Sequence, residues 1–329
     1  MRITNRMLAN NYLKDVNGNL KNLNKINTQL STGKEISRPS DNPFKTVRSM
    51  QLTTNINTNA QYKTNIDDTN SWLDATDTAL SQVNASLQRV RELMVSAGNA
   101  AYGSNECKTI NEEIKERVAE LSQILNSSFD GRYLFGGSKT TSKPLTATDA
   151  YDGNVELNFV DKNGEKINVN STELYDYNQT GALSQKMSVE ISQGVYMEYN
   201  VTAMEILKFN NSKGEKVDLM NLFDELQTNL LSGKSENLSK VIGENLAGID
   251  SAIENVLKLR SEVGAKQNRM ESALSKNEDE SYNMTQVLSN TEDIDFTKKT
   301  IEYSMAQTTY TAALQVSAQV LPKTLLDYL

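Results

Sequence analysis

The sequence contains no histidine. That absence removes His-based triads, imidazole proton shuttles and imidazole metal sites together. There is one cysteine, Cys107, so an internal disulfide and any multi-cysteine zinc or iron–sulfur site are excluded. Cys107 lies on a Glu-rich segment of helical pattern and reads as a small side chain, not a nucleophile. Only 4 prolines and 16 glycines occur in 329 residues, which rules out collagen-like and Pro-rich disordered classes and permits long unbroken helices. Aromatics are 6% and hydrophobic residues 37%, a balance suited to thin helical packing and not to one thick core. No stretch approaches the roughly 18 apolar residues of a membrane span, so no membrane insertion is expected. The start, MRITNRMLANNYLKDVNGNL, lacks the apolar region and cleavage site of a secretory signal. If the protein leaves the cell, another route without a cleaved signal peptide is expected.

Basic charge is also short. Lys+Arg 34 against Asp+Glu 42 gives a net charge of −8, which argues against a nucleic-acid partner. No cofactor is expected, because Gly33-Lys34 and Gly136-Gly137 fit neither a P-loop nor a dinucleotide fingerprint and read as turns. Charged groups such as Arg89, Arg91 and Glu92, or Glu112, Glu113 and Lys115, read as solvated helix faces. Acid–base catalysis would need two carboxylates in a cleft, and nothing in this pattern supplies one.

What the sequence does have is periodicity. Leu13, Val16, Leu20, Leu23, Asn27 and Leu30 alternate steps of three and four, a coiled-coil seam with one polar position. The segment STGKEISRPSDNP ends it, punctuated by Gly33, Pro39 and Pro43. A second helix carries Leu52, Asn59, Ile66, Leu73, Leu80, Leu87, Met94 and Ala101 at seven-residue spacing, with Tyr62, Thr69, Thr76, Val83, Val90 and Ala97 as companion column. Ala101-Tyr102-Gly103-Ser104 reads as a stop and a new N-cap, before Ile110, Ile114, Val118, Leu121 and Leu125.

The middle changes period. FDGRYLFGG reads as a hairpin. Val155, Leu157 and Phe159 alternate toward an Asn163-Gly164 turn, followed by Ile167 and Val169. Val189 and Ile191 face Val195, Met197, Tyr199 and Val201 around Gly194. Helical spacing returns over Val217–Leu231 and then over Ile242, Leu246, Ile249, Ile253, Val256, Arg260, Val263, Gln267, Met270 and Leu274. A last, weaker column runs Ile301, Met305, Thr308, Ala312, Val316 and Val320, and Pro322 stops it.

This order predicts a mainly α protein: an elongated antiparallel helical bundle or coiled-coil rod formed by both chain ends, with a β-rich central domain inserted at the tip. The expected divisions are 1–43 with 285–329 as an inner coiled-coil terminal domain, 44–139 with 232–284 as a helical rod domain, and 140–231 as a β-rich outer domain. The end seams are thin, so residues 1 to about 40 and about 290 to 329 are expected to order only against neighbours.

Six segments then carry a resemblance: MRITNRMLANNYL, LSTGKEISRPSDNP, SWLDATDTALSQVNASLQRVRELMVSAGNAAYG, GRYLFGG, RSEVGAKQNRMES and LLDYL. In this order they resemble the flagellin superfamily. Within it, Arg38-Pro39-Ser40-Asp41-Asn42-Pro43 and GRYLFGG are similar to the members that join hook to filament, where filament flagellins carry other residues. The resemblance implies a non-enzymatic structural component of the extracellular bacterial flagellum, exported through the type III apparatus. It implies other hook-associated proteins and flagellin as partners, copies of the chain itself in a ring, and a flagellar export chaperone. The chaperone would take the apolar face of Ile301 to Val320 in a helix-in-groove contact.

On that resemblance the assembly interface would comprise Leu13, Val16, Leu20, Leu23, Asn27 and Leu30, with Ile301, Met305, Ala312, Val316 and Val320. Gln88-Arg89-Val90-Arg91-Glu92-Leu93 is similar to the flagellin segment engaged by an innate receptor, which makes Gln88, Arg89, Glu92 and Leu93 candidate contacts. A helix shared for packing reasons explains the same letters. The alternatives are a minor flagellin and a secreted helical effector.

Overall fold

A computed structural model describes residues 5–98, 104–150, 153–161, 163–167, 181–211, 213–232 and 235–320. Three helices come first: α1 (Asn5–Thr32), α2 (Pro43–Ala97) and α3 (Ser104–Leu125). The centre holds β1 (Ser128–Phe129), β2 (Arg132–Tyr133), β3 (Leu145–Asp149), β4 (Val155–Phe159), α4 (Gly181–Ser184), β5 (Ser188–Ser192), β6 (Val195–Glu198), α5 (Ala203–Leu207), β7 (Lys208–Asn210) and β8 (Lys216–Asp218). Helices return as α6 (Leu219–Ser232), α7 (Ser235–Lys240), α8 (Leu246–Glu292) and α9 (Phe296–Val320). The fold is mainly helical with small antiparallel sheets in the middle. The expected stop at Ala101 to Gly103, Val169 and the LPKTLLDYL tail lie outside the described residues. Two compact units emerge, Met1–Ala60 with Glu278–Leu329, and Gln61–Asn277.

The second unit holds the core. On α2, Leu73, Leu80, Val83, Leu87, Val90 and Met94 are fully buried, as the seven-residue columns predict. Each such aliphatic side chain contributes about 1.5–3 kcal/mol on burial. Thr69 and Thr76, the polar members of the companion column, are buried too and turn their hydroxyls onto the carbonyls of Asn65 (2.6 Å) and Trp72 (2.8 Å). Ile114, Val118, Leu121 and Leu125 of α3 join them, as do Ile249, Val256, Val263 and Met270 of α8. The column does not extend back to Ile242, which is 41% exposed. Val241–Asn245 forms a π-turn, whose extra residue rotates Val241 and Asn245 onto the buried face instead.

Among the described residues, four two-stranded sheets, β1–β2, β3–β4, β5–β6 and β7–β8, are all antiparallel. The FDGRYLFGG hairpin turns through Asp130 (φ 49°) and Gly131 (φ 72°), the left-handed pair of a two-residue turn. Trp72 then ties the centre to α2, meeting Phe129 edge-on at 6.3 Å and Tyr199 at 5.9 Å. One pairing was not expected. Val155–Phe159 pairs backward with β3, Leu145 opposite Phe159 and Asp149 opposite Val155. Among the described residues, the forward contact across Asn163-Gly164 comprises a Val160–Lys166 bridge, an Asp161 N–H bonded to the Glu165 carbonyl at 2.9 Å and an Ile167 N–H bonded to the Phe159 carbonyl at 2.8 Å. The partner segment, Leu-Thr-Ala-Thr-Asp, alternates too weakly to be read as a strand. The helix expected from Val217 starts at Leu219, because Val217 pairs with Phe209 in β7–β8.

A repeat connects two of these loops. Leu157-Asn158-Phe159-Val160-Asp161 and Gly164-Glu165-Lys166-Ile167 recur fifty residues on as Leu207-Lys208-Phe209-Asn210-Asn211 and Gly214-Glu215-Lys216-Val217. The turns match: Asp161 Oδ1 accepts from the N–H groups of Asn163 (2.8 Å) and Glu165 (2.9 Å), and Asn211 Oδ1 from those of Lys213 (3.0 Å) and Glu215 (2.9 Å).

Candidate assembly interface

In the first unit α1 and α9 pack antiparallel, with the Tyr12 hydroxyl donating to the Ala313 carbonyl near one end. On α1 the half-buried side is Ala9, Tyr12, Val16, Asn19, Leu23, Ile26 and Leu30; on α9 it is Tyr303, Ala306, Tyr310 and Ala313. Of the six α1 residues read as a seam, Val16, Leu23 and Leu30 lie on this side. Leu13, Leu20 and Asn27, spaced by seven, are exposed. On α9, Ile301 (56% exposed), Met305 (66%), Ala312 and Val316 all point away, and the side chain of Val320 is outside the described residues.

On α9 the more apolar face is therefore outward, while α1 turns Val16, Leu23, Ile26 and Leu30 inward and still leaves Leu13 and Leu20 exposed. Also exposed is a third stripe that sequence reasoning missed: Phe44, Val47 and Met50 on the first turns of α2, Phe44 at 89% exposure. Their three-residue spacing, with no companion column, was the available signal.

The two chain reversals of this unit are joined. Gly33 (φ 72°) caps α1, donating its N–H to the Gln29 carbonyl at 2.9 Å, and its own carbonyl accepts from the Ile294 N–H at 3.0 Å. Lys34 bridges Asp293, and the Glu35 N–H donates to the Glu292 carbonyl at 2.6 Å. The Glu292 carboxylate takes the Lys34 ammonium on one oxygen and the Ser49 hydroxyl on the other at 3.0 Å. Gln29 Nε2 donates to the Glu35 carbonyl at 2.7 Å. The Lys45 ammonium, bonded to Glu35 at 2.5 Å, holds that carboxyl below the usual glutamate value. Arg38-Pro39-Ser40-Asp41-Asn42-Pro43 is a turn (Asp41 N–H to the Arg38 carbonyl, 2.9 Å) leading to Asn42. Asn42 Oδ1 accepts from the Lys45 N–H at 3.2 Å, with Pro43 as the first helical residue.

The stretch likened to a receptor contact lies in the second unit. Gln88, Arg89 and Glu92 are exposed, while Leu93 is 5% exposed and belongs to the core. The Arg89 guanidinium is held by Glu113 at 2.8 Å and Glu92 at 3.0 Å. Among the described residues no helix is long and apolar enough to cross a membrane, and no group of three His, Cys, Asp or Glu could hold a metal ion.

A terminal helix pair, and a second, mainly helical unit bearing small antiparallel hairpins, define the class of protein to which the chain is similar. Residues 3–140 match the bacterial flagellin N-terminal helical region, and residues 246–329 the bacterial flagellin C-terminal helical region. The chain belongs to the bacterial flagellin family. It is 25% identical to flagellar hook-associated protein 3 of Salmonella typhimurium strain LT2, over 96% of this chain and 95% of the relative. It is 26% identical to flagellin of Bacillus subtilis strain 168, over 92% and 91%. Among solved structures, the flagellar junction protein FlgL of Legionella pneumophila shares the fold, with a TM-score of 0.52 and 16% identity. That match covers 76% of this chain and all of the other.

Proposed function

We propose that this chain is a structural subunit of the bacterial flagellum, placed at the junction of hook and filament. The observation that carries the reading is the outward apolar columns, Leu13 and Leu20 on α1 with Ile301, Met305 and Val316 on α9, on helices that already pair through their other faces. A helix pair with one thin internal seam gains most of its stability from neighbours that bury the second face. Those neighbours would be copies of the chain in a ring, hook-associated proteins below or above them, and flagellin. End-to-end similarity to hook-associated protein 3 and the Arg38–Pro43 loop favour the junction over the filament itself.

Deleting the gene tests it. Hooks without filaments, with flagellin shed into the medium, are expected; normal filaments overturn the reading. The minor-flagellin alternative predicts long fibres from the purified protein alone. Before assembly, the Ile301–Val316 face would sit in the groove of an export chaperone. Met305→Glu with Val316→Glu should then abolish chaperone binding and leave the second unit folded. Recognition by a host receptor would rest on Gln88, Arg89 and Glu92, and loss of receptor activation in Arg89→Ala would support it.

A further inference from the structure

The seam between α1 and α9 repeats itself. On α9 Tyr303 and Ala306 are followed seven residues later by Tyr310 and Ala313; on α1 Ala9, Val16, Leu23 and Leu30 form one column and Tyr12, Asn19 and Ile26 the other. A slip of α9 by seven residues, about 10 Å along the axis, puts tyrosine where tyrosine was and alanine where alanine was. A polar residue buried in a seam can fix register. Asn19 is the one amide in the α1 column, and no hydrogen bond from it to α9 is seen among the described residues. Packing thus specifies that these helices pair, and leaves open where.

We propose that the joint between Gly33–Glu35 and Glu292–Ile294 is the register clasp of the terminal helix pair, with Glu292 as its positioning residue. The proposal rests on reading α1 and α9 as the assembly pair. The Glu292 side chain is 13% exposed and takes Lys34 and Ser49 on its two oxygens, while its carbonyl accepts from Glu35. Ile294, bonded to Gly33, stands two residues before α9 begins at Phe296. Phe296 itself packs over the cap: its ring comes within 3.6 Å of where a Gly33 side chain would start. There is no slack between the clasp and either helix, so a seven-residue slip has to break every one of these bonds. The clasp fixes the axial offset between the Leu13–Leu20 and Ile301–Met305 columns, and each copy presents the same surface to its neighbours.

Spin labels on cysteines placed at exposed Asn17 and Thr309, in the full chain with Cys107→Ser, read the register by pulsed dipolar spectroscopy. One dominant distance is expected with the clasp intact. Glu292→Gln with Lys34→Met should add a second population, and so should Ile294→Pro, which removes the N–H bonded to Gly33. The charge swap Lys34→Glu with Glu292→Lys should restore the single distance. As a control, Glu112→Gln with Lys115→Met, an ion pair on α3 in the other unit, should leave it unchanged. A single unchanged distance in both clasp variants overturns the proposal, as does equal broadening in the control. The distances are read on the free subunit. An in-register subunit that fails to restore filaments would therefore count against the junction role and not against the clasp.

Discussion

Arg260 on α8 grips Asp77 on α2 through two parallel hydrogen bonds, Nε to Oδ1 at 2.9 Å and Nη2 to Oδ2 at 3.1 Å. One turn pair further on, Gln267 Nε2 meets Asp74 Oδ1 at 2.7 Å. The two polar interruptions of the α8 column are thus each answered by an aspartate on α2. Both partners of the ion pair keep about a third of their side-chain surface in water. Removing the fork with Arg260→Met should therefore cost only about 1 kcal/mol. Arg260→Lys should recover less than half, since an ammonium cannot reproduce the bidentate geometry. Urea denaturation of the three proteins measures both differences.

Asn111 on α3 is fully buried, and neither its Oδ1 nor its Nδ2 has a hydrogen-bond partner among the described residues. An unsatisfied buried amide costs about 1–3 kcal/mol. Asn111→Leu should raise the denaturation midpoint, whereas Asn111→Asp, which puts a charge at a fully buried position, should lower stability by about 3 kcal/mol or more.

Gly137 (φ 63°) ends the GRYLFGG segment where an added Cβ would stand 2.4 Å from the Ala182 carbonyl oxygen. Gly131 (φ 72°) shares the backbone conformation but has open space around it. Gly131→Ala should cost about 1 kcal/mol for conformation alone, and Gly137→Ala about 2 kcal/mol or more, since backbone must move. Equal losses in thermal melts would refute the distinction.

Hydrogen exchange on the free subunit should separate the two units. Amides at Leu20 and Tyr310, on the thin pair, are expected to exchange at least tenfold faster than those at Leu80 and Val256. Matching protection would mean that the ends are held as firmly as the core without any neighbour.

The joint should also weaken in acid. Glu35 is held below its ordinary value mainly by its hydrogen bond from Lys45. A depressed folded-state pKa contributes stability that is complete above the unfolded value and is lost as pH falls through the folded one. The loss should therefore begin below about pH 4.3 and continue beneath it. Carbon-detected NMR titration of the Glu35 carboxyl should show the low value in the native chain and a rise toward the ordinary one in Lys45→Met.

Legibility in the sequence followed burial. Ile66, Leu73, Leu80, Leu87 and Met94 could be read because over this stretch one face of α2 is inside and its residues are large. On α9 the same logic selected Ile301, Met305 and Val316, the most apolar side chains, while the helix pair closes on Tyr303, Ala306, Tyr310 and Ala313. Small and amphipathic residues allow close approach but score poorly as hydrophobic, so the outward face was found before the inward one. The clasp had no sequence signal at all. Its bonds are largely backbone to backbone, between residues at opposite ends of the chain. The π-turn before α8 was equally hidden, since nothing in Val-Ile-Gly-Glu-Asn announces an extra residue.

The chain has a single tryptophan, and Trp72 stands edge-on between Phe129 from the first hairpin and Tyr199 beyond β6. Indole emission depends on the polarity around the ring, and at 6% exposure that ring is shielded by those two neighbours. The protein consequently carries its own optical gauge. Lifting either hairpin from α2 would admit water and redden the emission, with no label added and no second tryptophan to blur the signal.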